Sequence, residues 1–220
     1  MEIYAMSDIH GCFDAFLDAL NLIDLSDKNV KLILLGDYIH GGGQSYEVLD
    51  KIISLQKKYG TDKVIALMGN HEEWVIEQNH RILDEGYDDE FDDEKEERYI
   101  EWMSRLPLYY LTDNQVFCHA GVDEEAGEDW EVGTSDYIYT EKYPASIGKF
   151  CIDIVAGHIS TASITNDPKY QGIYFDGCSH YYIDGDVLKN GYITILMYDT
   201  NENKYYEITN NGKQELMNEG

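Results

Sequence analysis

Six side chains in this sequence carry the atoms that hold metal ions: Asp8, His10, Asp37, Asn70, His119 and His158. The segments Asp8-Ile9-His10-Gly11, Gly36-Asp37-Tyr38 and Gly69-Asn70-His71-Glu72 each follow a short apolar run. Two more runs lead into Cys118-His119-Ala120-Gly121 and Gly157-His158. Residues two apart on an extended segment point the same way, so Asp8 and His10 can grip one ion together. Carboxylate, amide oxygen and imidazole suit manganese, iron or zinc better than an all-oxygen magnesium or calcium cage. Six donors are too many for one tetrahedral site but fit two ions about 4 Å apart that share a carboxylate. Two divalent metal ions are expected, manganese first, with iron or zinc as alternatives.

The elements that must position these residues alternate in type. Ile3–Met6, Lys31–Leu35 and Val64–Met68 are short and apolar enough to be buried strands. Between the first two, Phe13, Phe16, Leu17, Leu20 and Ile23 recur at helical spacing. Val48, Leu49, Ile52, Ile53 and Leu55 do the same between the next two, with Ser45 as the expected N-cap. A third helix is expected just after Asn70. Strand, helix, strand, helix, strand predicts a parallel arrangement, and in such sheets ligands gather at the carboxyl ends of the strands. The second half reads as strands at Gln115–His119, Ile152–Ala156, Ile173–Asp176, Tyr192–Tyr198 and Lys204–Ile208. Asp184-Gly185, Asn190-Gly191 and the stretch from Asn210 to Gly212 are turn signals, so antiparallel strands extend or face the first sheet. His80 and His180 read as structural, and Tyr109-Tyr110 and Tyr181-Tyr182 as packing.

Composition bounds the rest. A chain of 220 residues fits one domain, 1–220. Its formal net charge of -27 repels polyanions, which argues against generic nucleic-acid or anionic-membrane binding. Bound cations would still let an acidic protein handle phosphate. Cys12, Cys118, Cys151 and Cys178 form no Cys-x-x-Cys pair and read as reduced thiols. With no visible signal peptide and no long apolar run, a cytoplasmic location without membrane insertion is expected. The acidic stretch Asp84–Arg98 reads as a solvated loop or helix end; the competing reading is a cap over the site.

The ordered motifs Asp8-x-His10-Gly11, Gly36-Asp37, Gly69-Asn70-His71-Glu72 and the two later histidines resemble the metallophosphoesterase superfamily. The resemblance is in particular to serine/threonine phosphoprotein phosphatases and their small bacterial and phage relatives, and it runs from Ile3 to about Asp199. It implies an α/β fold, a four-layer αββα sandwich of two mixed sheets flanked by helices. It implies that Asp8 and His10 bind a first metal, that Asp37 bridges both, and that Asn70, His119 and His158 complete the second. The implied activity is metal-dependent hydrolysis of phosphate esters, with His71 protonating the leaving oxygen and Asp37 and Asn70 beside it in the catalytic set. The implied partner is a phosphorylated substrate, whether phosphoprotein, nucleotide or small phosphoester.

Three departures from that family's pattern bear on the substrate. Where the second motif of the family carries Asp and Arg, this chain has His40 and Gly41. Met68 precedes Gly69 where bacterial members often carry Arg, and no arginine lies near Tyr139 and Thr140. The chain's arginines, Arg81, Arg98 and Arg105, all lie outside these motifs. An arginine fork on phosphate is a strong interaction, so its loss favours a diester or an anhydride, which needs fewer clamps. Candidate phosphate contacts are then His40, Asn70 and Lys142. His40 either stands in for an arginine or orients His71 as a neutral partner. The alternatives to a protein-phosphatase-like enzyme are a dinucleoside polyphosphate hydrolase or phosphodiesterase, and an inactive metal-binding relative that recognises a phosphorylated partner.

Overall fold

The computed structural model describes residues 1–77, 80–83 and 93–217. Three parallel strands open the chain: β1 (Glu2–Met6), β2 (Val30–Leu34) and β3 (Val64–Ala66), paired in the order β1-β2-β3. Crossovers α1 (Phe13–Leu20) and α2 (Ser45–Tyr59) connect them, and α3 (Asn70–Ile76) begins at Asn70 itself. Helix α4 (Asp93–Met103) leads to a second, five-stranded sheet. That sheet contains β4 (Tyr109–Leu111), β5 (Gln115–Cys118), β6 (Asp153–Ala156), β7 (Tyr174–Phe175) and β8 (His180–Tyr182). Its order is β4-β5-β6-β8-β7, with β5, β6 and β8 parallel to one another. The chain then returns to the first sheet through β9 (Leu196–Asp199), β10 (Lys204–Thr209) and β11 (Gly212–Glu215), all antiparallel, giving the order β11-β10-β9-β1-β2-β3.

Alternation along the strands sets the layers, because successive side chains leave opposite faces of a sheet. Ile3, Ala5, Ile33, Leu35, Ile65 and Leu67 meet Phe117, Val155 and Tyr181 between the two sheets. Tyr4, Met6, Leu32, Leu34, Val64 and Ala66 face the other way, against Phe16 and Leu20 of α1 and Val48, Leu49, Ile52 and Leu55 of α2. The outer face of the second sheet, with Val116, Ile154 and Tyr182, packs on Trp130 and Tyr139. Those two belong to the short helices α5 (Trp130–Gly133) and α6 (Asp136–Glu141). Helix, sheet, sheet, helix is the expected sandwich, and each buried Leu, Ile or Phe stabilises it by roughly 1.5–3 kcal/mol. Among the described residues no helix is long and apolar enough to cross a membrane.

Several local expectations shift. Ser45 is the first residue of α2, not its cap; its hydroxyl accepts from the N–H of His40 at 3.2 Å. Of Tyr192–Tyr198 only the end pairs as a strand, in β9, although Ile193 and Ile195 are buried. His180–Tyr182 is a strand of the second sheet that the expected strands did not include. Of the acidic stretch, 84–92 lies outside the described residues. From Asp93 it is helical, with Tyr99 and Met103 buried against α2 and Arg98 paired with Asp50.

Candidate metal centre

The strand ends of both sheets converge on one place. β1 delivers Asp8 and His10, β2 delivers Asp37, and β3 delivers Asn70 and His71; from the second sheet β5 delivers His119 and β6 delivers His158. The turns are tight. Among the described residues eight non-glycine residues have a left-handed φ, and five of them are Asp8 (54°), His10 (48°), Asp37 (56°), His40 (68°) and His158 (66°). Such conformations cost about 1–3 kcal/mol each and persist where surrounding structure imposes them, typically at functional sites. Gly157 permits the approach of the second sheet to β1. A Cβ there would lie 2.0 Å from Ser7 Oγ and 2.2 Å from Asp8 Oδ2.

Asp37 stands at the middle. Its Oδ2 is 3.8 Å from His10 Nε2, 3.7 Å from His71 Nε2 and 3.5 Å from His119 Nε2. Two groups of candidate ligand atoms share it: His10, Asp37 and His71, and Asp37, His119 and His158, each with its atoms within 4.8 Å of one another. Asp8 Oδ1 lies 3.9 Å from His10 Nε2, and Asp8 Oδ2 accepts the N–H of His158 at 3.1 Å.

Tautomers follow from the partners. A carbonyl only accepts, so His10 Nδ1 donates to Ile39 O at 3.2 Å and His119 Nδ1 donates to Leu35 O at 2.9 Å. Both Nε2 atoms therefore turn bare lone pairs inward. Asn70 Oδ1, another acceptor, sits 3.0 Å from His119 Nε2. Buried lone pairs this close need a cation between them, or else an amide turned to donate. Turned, the Asn70 amide would lie 3.0 Å from His119 Nε2 and 3.2 Å from each Asp37 oxygen. The donor set therefore fits divalent ions.

Electrostatics agree. Burial first, then the charges of Glu72 and Asp8, push the Asp37 carboxyl well above the ordinary carboxylate range. Burial pulls His119 down to about 3 and His158 to about 4, and both stay neutral, as metal-binding imidazoles must be. Burial, reinforced by His10, His40, His119 and His158, pulls His71 down to about 2.

The departures acquire a geometry. His40 is buried; its Nε2 meets the carbonyl of Arg81 and so carries the hydrogen. Its Nδ1 then accepts from His71 Nδ1 at 2.8 Å, which leaves His71 Nε2 facing Asp37. This is the neutral-partner arrangement, in which His40 contacts His71 and not an open phosphate position. Lys142 is not brought into the cluster. Its ammonium pairs with Glu124 and donates to Val122 O at 2.6 Å.

Two acids escape a reading of motifs alone. Glu72 is fully buried and accepts the N–H groups of Asp37 (2.8 Å), Tyr38 (2.8 Å) and Gly69 (3.1 Å), tying the β2 and β3 loops together. Its position three residues after Gly69 was the available signal. Asp184, buried beyond the end of β8, appears in sequence only as half of an Asp-Gly turn.

A family model described as calcineurin-like phosphoesterase matches residues 1–198. The symmetrical bis(5'-nucleosyl)-tetraphosphatase of Vibrio parahaemolyticus is 27% identical over 139 residues, covering 61% of this chain and 48% of that protein. The chain spans about half the length of the curated relatives it matches. Among solved structures, the cold-active protein-tyrosine phosphatase of a Shewanella species superposes with a TM-score of 0.69 at 16% identity, over 98% of this chain and 80% of that one. A putative diadenosine tetraphosphatase gives 0.62 at 17%, over 94% and 92%. Both solved structures share the fold. The match over residues 1–198, together with the two-sheet sandwich and the ordered motifs at its strand ends, makes this chain a member of the calcineurin-like phosphoesterase family.

Proposed function

We propose that this protein hydrolyses phosphoric esters and anhydrides at a two-metal centre, with dinucleoside polyphosphates as its substrate class. The observation that carries the proposal is the convergence of bare lone pairs from His10, His119 and Asn70 around the shared Asp37. Asp8, His10 and Asp37 would hold one ion, and Asp37, Asn70, His119 and His158 the other. Imidazole with carboxylate favours manganese, with iron or zinc as alternatives. Divalent ions in such a site supply positive charge against phosphate oxygens and acidify water. His71, held by His40 with a bare Nε2 inward, would first take a proton from water at the centre and then pass it to the leaving oxygen.

The substrate class rests on what surrounds the centre. The motif positions that carry phosphate-clamping arginines in the resembling family hold Gly41 and Met68 here, and no arginine lies near Tyr139 and Thr140. An internal phosphate of a polyphosphate chain presents fewer free oxygens than a terminal dianion and depends less on such clamps. Curated relatives bear the name of a symmetrical bis(5'-nucleosyl)-tetraphosphatase, which supports the same reading. The four cysteines are unpaired, which fits a reducing cytoplasm.

The test is turnover of diadenosine tetraphosphate, a phosphoserine peptide and para-nitrophenyl phosphate with manganese or chelator, by wild type and Asp37→Asn. We expect manganese-dependent cleavage of the tetraphosphate to two ADP, lost in the variant. Turnover confined to the phosphopeptide would overturn the substrate class; no turnover of any of the three would overturn the enzyme reading.

A further inference from the structure

The chain has three tryptophans, and two of them serve the core. Trp130 is buried in the apolar layer outside the second sheet, and Trp102 packs against the layer beneath α1 and α2. Trp74, half-buried on α3, belongs to none of the apolar clusters among the described residues. Core packing therefore does not account for it.

Its contacts lie beside the metal centre instead. Trp74 follows His71 by three residues, which puts both side chains on one face of α3. Their ring centroids are 4.5 Å apart, with planes 37° from parallel. His80 lies 5.2 Å from the indole at 35° and 6.0 Å from His40, which is itself 5.0 Å from His71. The four rings form a closed circuit, and it opens to solvent at the exposed His80. Two bonds hold the wall. The indole Nε1 donates to Glu141 Oε1 at 2.8 Å, and the N–H of His80 donates to the carbonyl of Trp74 at 3.3 Å. A ring pinned at its edge loses little further freedom when a flat partner lies against it.

Charge limits what the wall can take. Glu141 sits on the indole nitrogen, and Glu73, one residue before Trp74, accepts from Thr140 Oγ1 at 2.8 Å. Carboxylates there repel phosphate, so the wall suits a flat, uncharged ring.

We propose that Trp74, flanked by His80, stacks the nucleobase of the leaving half of the substrate. The proposal rests on the dinucleoside polyphosphate reading above and gives it a specificity-determining residue. His71 faces the leaving oxygen, and Trp74 is the next residue along the same face of α3. The leaving nucleotide therefore runs past that ring as it extends from the centre. Stacking reads a π-face and not a hydrogen-bond pattern, so adenine and guanine are both accepted.

The experiment is calorimetric titration of the full chain, in manganese, with α,β-methylene-ADP and with methylenediphosphonate, for wild type, Trp74→Leu and Trp74→Phe. The two probes resist hydrolysis and differ by the adenosine alone. Wild type should bind the nucleotide more tightly, and the nucleotide alone should quench its tryptophan emission. Trp74→Leu should lose roughly 5- to 150-fold in affinity for the nucleotide, the range for one base stacked on an aromatic side chain, and much less for the diphosphonate. Trp74→Phe should recover most of that affinity while the quench disappears. A wild type that cleaves diadenosine tetraphosphate without preferring the nucleotide probe, or a preference unchanged in Trp74→Leu, would overturn this inference alone. So would equal weakening of both probes, which would make the indole a support for His71 only. Turnover confined to the phosphopeptide would overturn the substrate class and this inference with it.

Discussion

Replacing Glu72 by glutamine exchanges one carboxylate oxygen for an amide nitrogen in a place where every neighbour is a donor. Oε2 accepts from Asp37 N and Gly69 N, and Oε1 from Tyr38 N. The best placement of glutamine keeps its oxygen on the first pair and turns its NH2 toward the buried Tyr38 N–H. That strands one donor, at about 1–3 kcal/mol, and removes charge assistance from the other two bonds, at about 1 kcal/mol each. Against this, burial pushes the Glu72 carboxyl up to about 7, so the ionised form is itself penalised and a neutral side chain recovers part of the loss. The net expectation is about 2–4 kcal/mol of destabilisation. For a chain of this size that lowers the midpoint by roughly 5–15 °C. Urea unfolding should show an earlier midpoint at an unchanged slope, and manganese affinity should fall because Asp37 and Asn70 sit on the two loops Glu72 joins. A variant within about 0.5 kcal/mol of wild type would refute the claim that this carboxylate holds the loops together.

Other expectations are independent of that one. His40→Ala should lower kcat by roughly tenfold, a fraction of what general acid–base catalysis supplies, with KM and manganese affinity unchanged, because His40 bonds His71, which is not among the six proposed metal ligands; a rise in KM alone would return His40 to substrate binding. Gly157→Ala would force a Cβ to within 2.0 Å of Ser7 Oγ. A cost of about 1–3 kcal/mol and weakened metal binding should follow, read by unfolding and calorimetry, and a silent substitution would mean the sheets separate freely there. Burial raises the Glu124 carboxyl, but bonds from His180 and Lys142 outweigh it and bring it down to about 2. A depressed folded value gives stability that is present above the ordinary glutamate range and lost as pH falls toward 2. Glu124→Gln should therefore be less stable than wild type at pH 6 and converge with it near pH 2; a constant difference in midpoint across that range would contradict the reading.

Much of this was legible in the chain because each candidate ligand follows an apolar run that can only be a buried strand. Short runs such as Ile3–Met6 fix a strand, and the polar cluster after each fixes the end of the sheet where chemistry occurs. What stayed hidden has a common cause. His180–Tyr182 is a strand by virtue of its neighbours β6 and β7, not of any period in three residues. Without that strand, Asp184 carries no message beyond its turn. Lys142 offered a positive charge at a convenient place in the chain, but charge in sequence says nothing about Glu124, eighteen residues earlier, which occupies it. His40 was readable as a departure, and its consequence required the carbonyl of Arg81, forty-one residues away, to settle which ring nitrogen bears hydrogen.

The seam between the two sheets gives the centre a mechanical role. His119 grows from the second sheet yet donates to Leu35 at the end of β2 in the first, and His158 N binds Asp8 across the same gap. Ions gripped from both sides would act as rivets through the sandwich. Their occupancy would then be felt along the apolar interface where Phe117 and Val155 meet Ile33 and Leu35. Hydrogen exchange along β2 and β5 should accordingly slow on metal binding, and small volume changes in that interface should retune the spacing of the ions without touching a single ligand.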